Sequence, residues 1–179
     1  MDLTHMLAGP FGSMLLADLG AEVIKIENPQ GGDPTRRVGP PFVEGESGYF
    51  MSINRNKRSV ALDLRQAEGR QVLHDLVKVS DVVLNNFRPG TMEKLGCGYD
   101  VLEEINPRLI YCSLTGFGET GPYRDRPAFD LTIQAVSGAM SITGEPDRPP
   151  VRMGIPLGDL SGSLFCAFAI SAALYARER

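Results

Sequence analysis

Histidine is scarce in this 179-residue chain, which holds only His5 and His74. With so few imidazoles, a histidine-ligated zinc site or a serine–histidine–aspartate triad has little support. Cysteine is also sparse. Cys97, Cys112 and Cys166 are odd in number, far apart and without metal-ligand spacing, which fits a reducing compartment and a cytoplasmic location. No P-loop pattern occurs, so nucleotide hydrolysis on such a loop is unsupported. No secretory signal pattern stands at the first residues. The apolar run 164–176 is too short to span a bilayer and reads as a buried core helix. Positive charge is not in excess either. A net charge of -4 argues against a general nucleic-acid or membrane-surface binder, so an anionic ligand would need a local basic pocket. No internal repeat or low-complexity linker divides the chain. With 42% apolar and 22% charged residues, it suits one soluble domain with a substantial core.

What is present alternates between two periodicities. Residues 1–5 read as the end of a strand, and Pro10 suits the first turn of a helix in which Phe11, Leu15 and Leu19 recur at i, i+4. Gly20 closes that helix. Residues 21–27 (AEVIKIE) alternate and are β-branched, so they read as a strand. Residues 28–48 form a Gly/Pro-rich loop. Further strands are expected at 59–64, 81–87 and 108–115, and helices at 68–80, 91–95, 99–105 and 130–143. In helix 68–80, Val72, Leu73, Leu76 and Val77 share one face. Strands alternating with helices imply an α/β fold with a parallel, doubly wound sheet.

Gly154-Ile155-Pro156-Leu157-Gly158-Asp159 joins a Pro-rich loop to a long apolar helix. Proline at 156 and glycine at 158 suit a turn, so the helix is expected to start at Asp159 and run through about 160–175. There a carboxylate meets unpaired N–H groups and the positive end of the helix dipole. Taken alone, Asp159 reads as an N-cap. Its small neighbours Gly158, Ser161, Gly162 and Ser163 also leave room for a bulky group, which makes it a candidate nucleophile.

Two other motifs carry chemical meaning. Gly116-Phe117-Gly118-Glu119-Thr120-Gly121 matches a dinucleotide fingerprint in spacing, but Pro122 to Pro127 continue a loop where a helix is required. Asn86-Phe87-Arg88-Pro89-Gly90 follows a strand at the end where open α/β sheets bind ligands. With Arg88 and Lys94 near, it could hold a purine and a phosphate, or be a plain turn. Arg36, Arg37, Arg55, Lys57, Arg58 and Arg65 are expected around the same sheet edge, where they would suit a polyphosphorylated ligand.

The segments LAGPFGSMLLADLGAEVIKIENPQGGDPTR, NRNKRSVALDL, NNFRPGTMEKLG, NPRLIYCSLTGFGETGPY and the Gly158-Asp159 turn resemble the class III CoA-transferase family over essentially the whole chain. The resemblance implies a Rossmann-like CoA-binding domain over residues 1–179, an interlocked homodimer, an acyl-CoA substrate with a carboxylic acid acceptor, and no metal. It implies that Asp159 attacks the acyl-CoA, carries the acyl group as an anhydride, and then carries CoA as a thioester. Leu7, where the family often has glutamine, and Ala8 would line the thioester end. Arg36 would hold phosphate, and Leu62 and Arg65 would flank the nucleotide. Asn86 and Phe87 would lie on the adenine side, followed by Lys94 and Leu95.

Two departures refine this. Racemases of the family have a histidine where Phe129 stands here, and two-base α-proton exchange needs a second titratable group. Transfer is therefore preferred over racemisation, and the run 38–64 is most similar to members acting on succinyl-CoA and dicarboxylates. Relatives are also longer, with a second domain and a glycine-rich loop beyond residue 179. The resemblance thus implies a chain clipped at both ends, which leaves open a CoA-binding chain without activity.

Overall fold

A computed structural model describes residues 1–179. Its elements are α1 (Ala8–Asp18), β1 (Val23–Glu27), a 3-10 turn (Pro34–Arg37), β2 (Phe42–Val43), β3 (Glu46–Ser47), α2 (Gly48–Asn54) and β4 (Lys57–Ala61). There follow α3 (Ala67–Val77), β5 (Val82–Asn85), α4 (Thr91–Lys94), α5 (Tyr99–Ile105), β6 (Ile110–Ser113), α6 (Asp130–Val136), a second 3-10 turn (Ala139–Ile142) and α7 (Leu157–Arg177).

Residues 1–4 join the strands into one parallel sheet. β1 pairs with β4 and β5 with β6, each in parallel register. Asp2 forms parallel bridges to both Lys25 and Leu84. Its N–H donates to the Ile24 carbonyl at 2.9 Å, and the Leu3 N–H donates to the Leu84 carbonyl at 2.8 Å. The spatial order is β4, β1, residues 1–4, β5, β6. Counting residues 1–4 first, this is the 3-2-1-4-5 order of a Rossmann-like doubly wound sheet, with its switch point between residues 1–4 and β5.

Adjacent residues of β5 feed opposite faces, as a period of two requires. Val83 enters a core with Leu73, Val77, Met92 and Leu102 from α3, α4 and α5. Leu84 faces the other way, against Cys166 and Ile170 of α7. α1 and α7 pack on that second face through small residues. A Cβ on Gly12 would lie 3.1 Å from the Ser163 carbonyl oxygen, and one on Gly9 would lie 2.3 Å from Thr4 Cβ. A side chain at Gly9 would clash outright, and one at Gly12 would require α7 to shift.

This close packing overturns the expected inner face of α1. Gly9, Pro10, Gly12, Ser13, Met14 and Ala17 are buried, while Leu19 is exposed. Small residues win because they allow the helix to approach. In α3, Leu73 and Val77 are buried as expected, but Val72 faces solvent. The loop expected over 28–48 contains the antiparallel β2–β3 hairpin. Glu44 and Gly45 both have positive φ at its turn, the conformation two-residue hairpins require. The helix expected over 130–143 ends at Val136 because Gly138 has a φ of 84° and restarts the chain as a 3-10 turn.

α7 differs most from expectation. It is 21 residues long and by length and composition alone could cross a bilayer. It is not a wholly buried core helix. Ser163, Cys166 and Ile170 form its buried stripe, whereas Phe165 and Phe168 are each 72% exposed. The helix thus presents one packed and one uncovered apolar face. The cysteines also regroup: Cys112 on β6 and Cys166 on α7, distant in sequence, have sulfur atoms 3.7 Å apart.

Candidate active site

The crevice at the switch point is held together by one side chain. Asn86 Oδ1 accepts the His5 N–H at 2.9 Å, and Asn86 Nδ2 donates to the His5 carbonyl at 2.8 Å. The two strand ends are thereby fixed side by side, and the His5 and Phe87 rings meet with centroids 5.4 Å apart.

Over this clasp lies a cavity of about 230 Å³ whose wall includes Ala8, Asn86, Phe87, Phe129, Asp130 and Asp159. Ala8 is tied to the helix opposite, since Ser163 Oγ donates to the Ala8 carbonyl at 2.6 Å and to the Asp159 carbonyl at 2.7 Å. A second cavity of about 270 Å³ is walled by Leu62, Arg65, Phe87 and Leu95. Phe87 stands between the two, so seven of the ten residues named from sequence bound this pair of spaces or the ring dividing them.

The other three sit apart from both walls. Leu7 is half-buried just before α1. Lys94 is exposed on α4. Arg36 is committed elsewhere: its Nε and Nη2 grip Glu27 at 2.8 and 2.7 Å, and its guanidinium lies 3.7 Å over the Phe50 ring. Glu27 holds it firmly, for the Ser59 hydroxyl and the Asp33 N–H also donate to that carboxylate. Arg65 lines its cavity while pairing with Asp63 at 2.9 Å.

The basic residues expected along one edge are dispersed. Lys57 and Arg58 open β4, at the opposite end of the sheet from the crevice. Lys57 is buried against Asp2 at 2.9 Å, and Arg58 pairs with Glu22. The cations that do reach the cavity are Arg88, Arg124 and Arg126. Arg124 and Arg126 belong to the loop after Gly121, and the Arg126 guanidinium lies 3.9 Å over the Tyr123 ring. No sequence pattern marks them. Their position follows from the loop folding back over the carboxyl ends of β5 and β6. That loop continues from the glycine triplet without opening a helix, as the prolines require.

Asp159 is not an N-cap. α7 begins two residues earlier, at Leu157, with Pro156 in the cap position and no side chain of its own capping the helix. Asp159 therefore lies within the first turn, half-buried and facing the cavity. Burial pushes its carboxyl above the usual range, and the neighbouring negative charge of Asp130 adds to the shift. A half-buried carboxylate of raised basicity on a rigid helix end, with room before it, is equipped to attack a carbonyl carbon.

The model of CoA-transferase family III matches residues 1–179. The chain is 48% identical to a succinyl-CoA:glutarate CoA-transferase of Mus musculus, over all of this chain and 41% of the relative. It is 51% identical to an acetyl-CoA:oxalate CoA-transferase of Acetobacter aceti, over all of this chain and 46% of the relative. A solved CAIB/BAIF family protein from Brucella suis superposes with a TM-score of 0.95 at 49% identity, covering 99% of this chain and 48% of that one. The chain thus spans less than half the length of these relatives. By its sequence over every residue and by its fold, it belongs to CoA-transferase family III.

Proposed function

We propose that the chain supplies the CoA-binding and nucleophilic part of an enzyme that moves CoA from an acyl-CoA thioester to a carboxylic acid. The observation that carries this reading is the half-buried carboxylate of Asp159, facing a cavity at the switch point of a family III fold. The named relatives act on succinyl-CoA with glutarate or on acetyl-CoA with oxalate, which supports a short acyl donor and a dicarboxylate acceptor. The setting we propose is cytoplasmic and reducing, consistent with three free thiols.

Asp159 attacks the thioester carbonyl, the C–S bond breaks, and an aspartyl–acyl anhydride forms as CoA leaves as thiolate. The thiolate returns to the aspartyl carbonyl, releasing the donor acid and leaving an aspartyl-CoA thioester. The acceptor carboxylate attacks that carbonyl, giving a new anhydride and freeing CoA thiolate, which takes the acyl group and regenerates Asp159. The dipole of α7 favours the ionised carboxylate at the start of each cycle. Arg88, Arg124 and Arg126 offer the charge that CoA phosphates need on leaving water. Phe87, between the two cavities, suits stacking on the adenine.

Phe129 lines the same cavity and has no proton to exchange, so we do not assign racemisation. The partner we propose is a second copy of the protein in an interlocked dimer. The 72% exposure of Phe165 and Phe168 supports burial of α7's outer face in the assembly.

The test is an assay of succinyl-CoA against glutarate, oxalate and mesaconate, with products read by mass. New acyl-CoA thioesters are expected. Absence of any transfer, together with deuterium uptake at the α-carbon of a 2-methylacyl-CoA in heavy water, would replace this reading with isomerisation.

A further inference from the structure

The first turn of α7 lacks a cap of its own, since Pro156 holds the cap position and has no side-chain acceptor. Such a helix end needs an outside acceptor for its free N–H groups. One is supplied from α6. Asp130 Oδ1 accepts the N–H of Gly158 at 2.7 Å and that of Asp159 at 3.3 Å. These are the second and third positions of the helix, the two donors that an N-cap side chain normally satisfies.

Asp130 is itself pinned. Gln134, 2% exposed, donates from Nε2 to Asp130 Oδ2 at 2.6 Å. Its Oε1 accepts the Met153 N–H at 2.8 Å, and Nε2 also reaches the Ile155 carbonyl at 3.3 Å. One buried amide therefore joins α6 to the loop that leads into α7. Gly158 admits the arrangement, because a Cβ there would stand 3.2 Å from Asp130 Oδ1 and 3.4 Å from Ile133 Cγ2.

We propose that Asp130, held by Gln134, is the positioning residue of this site: its carboxylate caps α7 from another helix and fixes the turn that presents Asp159. The inference rests on the reading of Asp159 as nucleophile. Asp130 contributes twice, by orienting the backbone of Asp159 and by placing a negative charge beside it. The second contribution is supported by the raised Asp159 carboxyl, which owes most to burial and then to Asp130. The other titratable and charged groups around it are Tyr49 on α2, whose phenol is raised by burial and then by Asp159, and Arg88, Arg124 and Arg126 in the cavity wall.

The experiment is a titration of the Asp159 carboxyl by carbon NMR on the labelled protein, alongside Asp130→Asn and Gln134→Leu. Asn keeps an oxygen for the two N–H groups and removes the charge, while its NH2 replaces the oxygen that accepts from Gln134. It should lower the Asp159 midpoint by about half a pH unit or more and shift the acid limb of the transfer rate the same way. Gln134→Leu leaves the charge and frees the carboxylate to turn. It should reduce kcat by about tenfold or more with KM for acyl-CoA held within about twofold. Circular dichroism shows whether each variant folds, and the midpoint can be read without turnover. An unmoved midpoint in Asp130→Asn, or a Gln134→Leu enzyme with unchanged kcat, would overturn the proposal. Failure of the underlying reading looks different: Asp159→Asn would keep its activity while the midpoint shift persisted.

Discussion

Asn86 and His5 clasp each other across the switch point with two reciprocal hydrogen bonds, 2.9 Å from the His5 N–H and 2.8 Å to its carbonyl. The contact spans 81 residues of sequence. It couples the floor of the crevice to the ring of Phe87, which packs against the His5 imidazole.

Asn86→Ala should therefore lose both stability and ligand. Two backbone groups would be left without partners, a cost of about 2 kcal/mol in all. Urea unfolding should show a lower midpoint with an unchanged slope, and calorimetry should show weaker CoA binding. An unchanged midpoint would mean that water replaces the amide at no cost.

Asp2 sits fully buried beneath this clasp, with its charge matched by Lys57 at 2.9 Å. Burial alone would raise its carboxyl, but Lys57, Lys25 and the Ser13 and Thr4 hydroxyls together bring it from 3.8 down to about 2. A carboxyl lowered on folding stabilises the protein fully above its unfolded value, and that stabilisation is lost as pH falls through the folded one. Glu27 behaves alike, falling from 4.5 to about 2 against burial through Arg36, Ser59 and the Asp33 N–H. Acid titration of stability should thus show a loss of about 2 kcal/mol from Asp2 between about pH 4 and 2. Asp2→Asn should flatten that limb, and Lys57→Met should destabilise by about 3–5 kcal/mol at neutral pH by stranding a buried charge. A limb of unchanged steepness in Asp2→Asn would remove Asp2 from the account.

Much of this architecture is legible in the chain itself. The sequence places β1, β4, β5 and β6 within a few residues, most plainly where β-branched residues alternate in β1. Residues 1–5 read as a strand end, and residues 1–4 prove to be the middle of the sheet. The buried face of α1 was not legible, since periodicity of large apolar residues says nothing of where glycine and serine permit close approach. The β2–β3 hairpin was hidden in a stretch whose glycines and prolines signal only a turn. The partners of Asp159 were hidden for another reason. Asp130 lies 28 residues from Gly158 in sequence, and no local spacing encodes a cap donated by another helix. Arg36 shows the converse: the motif marks an arginine, yet Glu27 and Phe50 decide where its guanidinium goes.

Cys112 and Cys166 make a thiol pair that oxidation should join. Their sulfurs are 3.7 Å apart. The Cys112 thiol is lowered by its hydrogen bond with Cys166, against burial, and that of Cys166 is raised by the same contact. Diamide, which takes two electrons and two protons from the thiols, should form a bond between β6 and α7. Peptide mass spectrometry should find a loss of two hydrogens on the linked 112–166 pair, absent in Cys112→Ser. Cys97, buried with its thiol pushed up to about 11 by burial, should stay reduced. Preferential modification of Cys97 would contradict the geometry.

The central claim is that Asp159 carries the acyl group and then CoA. The protein is mixed with succinyl-CoA, quenched with hydroxylamine and digested with trypsin. An activated aspartyl carbonyl then becomes a hydroxamate. The account predicts that label at Asp159, in the peptide of residues 153–177. It also predicts a roughly thousandfold or greater loss of transfer in Asp159→Asn with CoA binding retained. Transfer within about tenfold of the parent in Asp159→Asn, or a hydroxamate on a different carboxylate while transfer proceeds, would contradict it.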